Sequence, residues 1–144
     1  MTARRLPGDG LLHPVPVIAV IILLLNDHWW KGAFGGPLTG IVSDVAGLAF
    51  FPLTLQAGWE VALSILGRPW GPSRRTLVVA VGLTAIVFSA IQLSPFAGDA
   101  YRAAVGGLQA PFRGGYRPVS LTADPFDLFA LPALAVAAWA GWRR

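Results

Sequence analysis

Most of the acidic residues in this chain stand at the borders of apolar runs. Asn26, Asp27 and His28 follow VIAVIILLL, Asp44 opens SDVAGLAFFP, and Asp124 and Asp127 open ADPFDLFALP. Carboxylates and an imidazole gathered at one level of a helical bundle have the donor set for a proton, a cation or a metal. Each residue also has a plainer use. Asp is a favoured helix N-cap, and its carboxylate suits the positive end of the helix dipole. Asp127, three residues after Asp124, resembles an acidic variant of a capping box. No HExxH or comparable spacing points to a metal, so no metal and no cofactor is expected.

Gln56 and Glu60 lie inside an apolar run, and intramembrane polar residues are functional candidates by default. At about 1.5 Å per residue, Glu60 stands about 24 Å from Asp44, near the opposite interface. There it is expected to reach headgroups or to pair with Arg68 or another arginine. Gln56 is expected to join helices through a side-chain hydrogen bond. Nucleophilic catalysis has no signature here. There is no GxSxG, and the glycine-rich KGAFGGPLTG lacks the GK[ST] ending of a phosphate loop.

The elements that must carry these residues are apolar. Of 144 residues, 55% are hydrophobic and 12% charged, about half the charged share of a soluble domain. Four segments approach the roughly 20 residues a helix needs to cross a bilayer: about 11–30, 45–66, 76–93 and 125–142. Neither alternation nor segment number suits a barrel. Trp29 and Trp30 occupy the place of a small-residue cleavage site, so the first segment is expected to be a retained membrane helix. There is no cysteine, which excludes disulfides and thiol chemistry.

The net charge of +4 is distributed around the apolar segments rather than in a basic domain, so nucleic acid is not an expected partner. Arg4, Arg5, Arg68, Arg74, Arg75, Arg143 and Arg144 fall on one side; Lys31, Arg102, Arg113 and Arg117 fall on the other. That excess places both termini in the cytoplasm of a multi-pass cell-membrane protein. Trp29 and Trp30 mark the outer interface, while Trp59, Trp70, Trp139 and Trp142 mark the inner one, with core packing the alternative for Trp59. The third loop, 94–123, is expected to hold a short surface helix over 97–107 with Tyr101 as an interfacial anchor. Its glycines at 106, 107, 114 and 115 mark the remainder as irregular.

An internal repeat relates the two acidic motifs. A shift of 80 residues lays DVAGLAFFPLTLQAGW, 44–59, over DPFDLFALPALAVAAW, 124–139, matching Asp, Leu, Pro, Ala and Trp in register. The expected fold is therefore all-α, a single integral membrane domain over 1–144 with four transmembrane helices. It is built from two tandem hairpins, 11–66 and 76–142, joined by a cytoplasmic connection at 67–75 and related as a parallel repeat. Asp44 and Asp124 would cap equivalent helices, and Pro52 and Pro132 would kink them equivalently by removing one backbone hydrogen bond each.

With no catalytic motif and little midplane polarity, the expected role is a non-catalytic accessory or structural subunit. Its partners would be the bilayer and a membrane protein, or a second copy of itself. The alternative is a small, dimeric transporter or channel using the outer carboxylates. A membrane-embedded enzyme using Asp27, His28 and Asp44 is the remaining reading.

Overall fold

The computed structural model describes residues 5–34 and 36–143. Arg4 and Arg144, which contribute to the charge asymmetry, lie outside the described residues. The chain is all-helical, 79% helix with no strand among the described residues. Among the described residues, four helical stretches are long and apolar enough to span a membrane: Pro14–Phe34, Leu38–Ile65, Arg74–Leu93 and Pro125–Trp142.

The first begins with a 3-10 turn, Asp9–Leu12, and continues as α1, Pro14–Leu25. His13 is its N-cap: the ring Nδ1 accepts from the Val15 N–H at 3.2 Å, and Pro14 sits at the first helical position, where its missing N–H is harmless. Asn26, Asp27 and His28 do not terminate this helix as the sequence suggests. Asn26–Trp30 forms a π-helical turn that leads into α2, Lys31–Phe34. The next helix, α3, runs from Pro37 to Ile65, beginning eight residues before the expected Val45. Gly36, at φ 149°, precedes it, and Pro37 nucleates its first turn. Pro52 lies inside this helix and is buried.

α4 spans Arg74–Leu93 and α5 spans Pro95–Arg113. The helix in the third loop is thus longer than the expected 97–107. Ser94 caps it by accepting from the Ala97 N–H, Gly106 and Gly107 are carried within it, and Gly114 closes it at φ 69°, the left-handed conformation glycine supplies at helix ends. The last apolar segment is not one helix. It opens as a 3-10 stretch, Pro125–Ala130, and becomes α6 only at Ala133–Trp142, with Pro132 at the N-cap. Pro52 and Pro132 are therefore not equivalent kinks: one is interior to a long helix and the other starts a short one.

The chain divides into two compact units, Met1–Ala85 with Phe129–Arg144, and Ile86–Leu128. In the first, α3 packs between α1 and α6. Ala19, Ala46 and Ala49 form one buried cluster; Leu53, Leu77, Ala137 and Ala140 form another. Small side chains bring the helix backbones close, the packing that membrane helices favour. Gly141 shows how close: a Cβ there would stand 2.6 Å from Leu77 Cδ1 and 3.2 Å from Leu53 Cδ2. Meanwhile large apolar residues face outward, Ile18, Ile21, Leu24, Val79 and Ile86 among them. Trp59 is exposed, so it is not core packing.

One end of this unit collects the residues expected at the inner interface. The Arg74 guanidinium lies 4.9 Å from the ring centre of Trp142, and that of Arg143 lies 4.5 Å from Trp139. His13 meets Trp139 edge-on at 6.2 Å. These contacts bring the N-terminal segment, the 67–75 connection and the C-terminus to one end of the unit.

In the second unit the chain after α5 returns antiparallel along it. Arg117 lies beside Gly106, where a Cβ would stand 2.7 Å from the Arg117 carbonyl oxygen, and Leu121 lies beside Gly98. Arg102 fastens this strap: Nη2 donates to the Leu121 carbonyl and Nη1 to Asp99, each at 2.6 Å.

Candidate functional site

In the first unit, one group of the residues singled out by the sequence surrounds Asn26, which is fully buried. Its Nδ2 donates to the Thr39 carbonyl at 2.8 Å and to Ser43 Oγ at 2.6 Å, tying the π-helical turn to the first turns of α3. Ser43 Oγ reaches Asp27 Oδ1 at 3.5 Å, and Lys31 Nζ makes an ion pair with the same oxygen at 2.6 Å. Lys31 and Asp27 are both about half exposed, so this pair adds little stability. The His28 Nδ1–H donates to the Leu24 carbonyl at 2.9 Å on the exposed surface. Asn26 is the residue that organises this end. Thr39 and Ser43 were not anticipated; no local spacing marks residues 13 and 17 positions away.

Asp44 is the eighth residue of α3, half-buried and well inside the helix. It is not the N-cap, because Pro37 starts the helix two turns earlier. Asp124 does cap: its Oδ1 accepts from the Phe126 N–H at 2.9 Å, and its own N–H donates to Gln92 Oε1 at 3.0 Å. Asp127 follows on the same 3-10 stretch, its N–H bonded to the Asp124 carbonyl. The two aspartates matched by the repeat thus have different local roles.

The first unit also holds the buried face of α3. Leu53, Gln56, Ala57 and Glu60, at spacings of three and four, are each at most 2% exposed. Glu60 does not reach outward to headgroups. Its Oε2 accepts from the Gly8 N–H at 3.1 Å, so the N-terminal segment closes over the end of α3. Gly8 is at φ 81°, and a Cβ there would meet Val61 Cγ2 at 3.3 Å. One turn from Glu60, neither the amide nitrogen nor the amide oxygen of Gln56 has a hydrogen-bond partner among the described residues. The expected interhelical bond from Gln56 is therefore not made. In hydrocarbon an unsatisfied amide is costly, which makes Gln56 the chemically most conspicuous side chain of the core.

Beside this face, α1, α3 and the 129–136 stretch leave an open groove of about 670 Å³. Every lining side chain is apolar, and Ala19, Ala46, Ala49, Ala130 and Ala133 keep it broad. It has no group for acid–base or nucleophilic chemistry; it suits an apolar chain or helix. Set against known proteins, the sequence matches no family model and no curated protein, and the fold matches no solved structure.

Proposed function

We propose that this chain is a small polytopic membrane protein, a non-catalytic accessory subunit that seats an apolar helix of a membrane partner in the groove between α1, α3 and α6. In this reading its four spans form two tandem hairpins, 11–66 and 76–142, in the cell membrane with both termini cytoplasmic. The groove carries the proposal. Its alanines offer the close backbone approach on which helix association in lipid depends, and its lining offers a substrate no polar handle.

The test uses a photocrosslinking amino acid at Val45, on the groove wall and 42% exposed. The expected result is one adduct with a single membrane polypeptide, stoichiometric in mild detergent. The adduct should vanish when Val136→Trp fills the groove from its lip. Adducts with lipid alone, and a lone monomer in several detergents, would overturn it. An adduct with a second copy would replace the partner by self-association.

A second reading, a small transporter or channel, draws on the buried pair Gln56 and Glu60 as well as the acidic residues Asp44 and Asp124. It requires cation- or proton-dependent flux in liposomes that Asp44→Asn with Asp124→Asn abolishes without unfolding. No flux from the unaltered protein would eliminate it.

A further inference from the structure

The third loop carries an exposed apolar surface. On α5, Tyr101, Leu108 and Phe112 follow one another at spacings of seven and four, which places them on one face of the helix. Leu108 is 73% exposed and Phe112 90%, while Val105, between Tyr101 and Leu108, lies on the same side. The neighbouring face carries Gly98, Arg102 and Gly106, which hold the returning strap. A third face, with Asp99, Ala103 and Gly107, is polar or small after the first turn, where Phe96 is 82% exposed. In the second half of α5 the large apolar side chains Leu108 and Phe112 are therefore on the exposed face.

We infer that this face of α5 lies in the lipid interface, with Tyr101, Leu108 and Phe112 in the acyl boundary. The inference rests on the membrane reading above. If Arg74–Leu93 and Pro125–Trp142 span the bilayer, the segment between them begins and ends at one membrane face. α5 starts two residues after the first span ends, which holds its start at that surface. It cannot sink into the hydrocarbon. Its strap, 116–124, is irregular backbone, which lipid does not tolerate, and the Arg102 bonds hold helix and strap at one level. A helix that starts at that depth, with an exposed apolar face beside charged residues, has the pattern of an interfacial helix. Arg102, Arg113 and Arg117 against Asp99 leave a net charge of +2 (three minus one) over 95–123.

The chain has no cysteine, so single substitutions can be spin-labelled without background. We would label Leu108→Cys, Phe112→Cys, Ala103→Cys and Ile86→Cys in full-length protein. The protein would be reconstituted in phosphatidylcholine–phosphatidylglycerol vesicles, and accessibility to oxygen compared with that to a neutral nickel chelate. Ile86 is 70% exposed on a candidate span and reports on the membrane reading alone. Positions 108 and 112 should favour oxygen severalfold, as position 86 does, and position 103 should favour nickel. Oxygen preference at 86 with nickel preference at 108 and 112 overturns the inference and leaves the membrane reading intact. Nickel preference at 86 overturns both. Labels at 108 and 112 immobilised and shielded from both reagents mean that protein covers this face, and also overturn it.

Discussion

The Gly8 N–H and the Glu60 carboxylate, 52 residues apart, meet at 3.1 Å over the end of α3. The contact needs a carboxylate 1% exposed and a backbone at φ 81° that glycine tolerates best. It fixes the N-terminal segment to the bundle, and Leu11 from that segment packs against the Leu53 cluster. Glu60→Leu leaves the Gly8 donor without this acceptor and should cost about 1–3 kcal/mol, while Glu60→Gln, which retains an acceptor, should cost less. Gly8→Ala should cost about 1–3 kcal/mol through backbone strain. Thermal unfolding in detergent, followed by circular dichroism, checks all three. Equal stability of Glu60→Leu and the unaltered protein would show that the contact is dispensable.

Gln56 makes the opposite prediction. Its amide has no hydrogen-bond partner among the described residues, so replacing it by an apolar side chain of similar volume removes a penalty and no bond. Gln56→Leu should be stabilising by about 1 kcal/mol, seen as a higher Tm. A lower Tm would mean that the amide is engaged by something essential, which favours the transport reading.

Gly141 tests the packing of α6. An alanine methyl would stand 2.6 Å from Leu77 Cδ1, and overpacking of this kind costs about 1–3 kcal/mol. The atom in the way is the end of a side chain, so Leu77→Ala should recover part of the loss made by Gly141→Ala. Additive losses in a double-mutant cycle would contradict the contact.

Gly106 meets backbone instead. A methyl there would stand 2.7 Å from the Arg117 carbonyl oxygen, which cannot rotate away. Gly106→Ala should therefore lift the strap from α5, and limited trypsin digestion should cut after Arg113, at the Arg113–Gly114 bond, faster than in the unaltered protein. Gly107→Ala, with no atom within 4 Å, is the control and should leave the digestion rate unchanged.

Some of this could be read directly from residue order. Four apolar runs, each long enough to span and each nearly free of interior charge, set the all-helical architecture, because backbone groups in an apolar setting must find partners within the helix. Asp124 announces its cap by type, since capping is local. Helix starts decided by competition were not legible. Asp44 is a good cap residue, but Pro37 and the polar bridge from Asn26 to Ser43 begin the helix earlier, and no spacing rule records a bond across 17 residues. The same holds for Pro52 and Pro132: their shared motif implies equivalence, yet one lies in the buried middle of α3 and the other at a helix start.

The sequence by itself determined which segments are helical and apolar, because hydropathy and capping act between residues a few positions apart. Only the tertiary structure decided that Glu60 turns inward to Gly8, that Gln56 is buried without a hydrogen-bond partner among the described residues, and that alanines from α1, α3 and the 129–136 stretch leave a groove. Those outcomes depend on which helix faces meet. In a chain apolar on nearly every side, the hydrophobic pattern does not select the face; backbone approach at small residues and the few long-range polar bonds do.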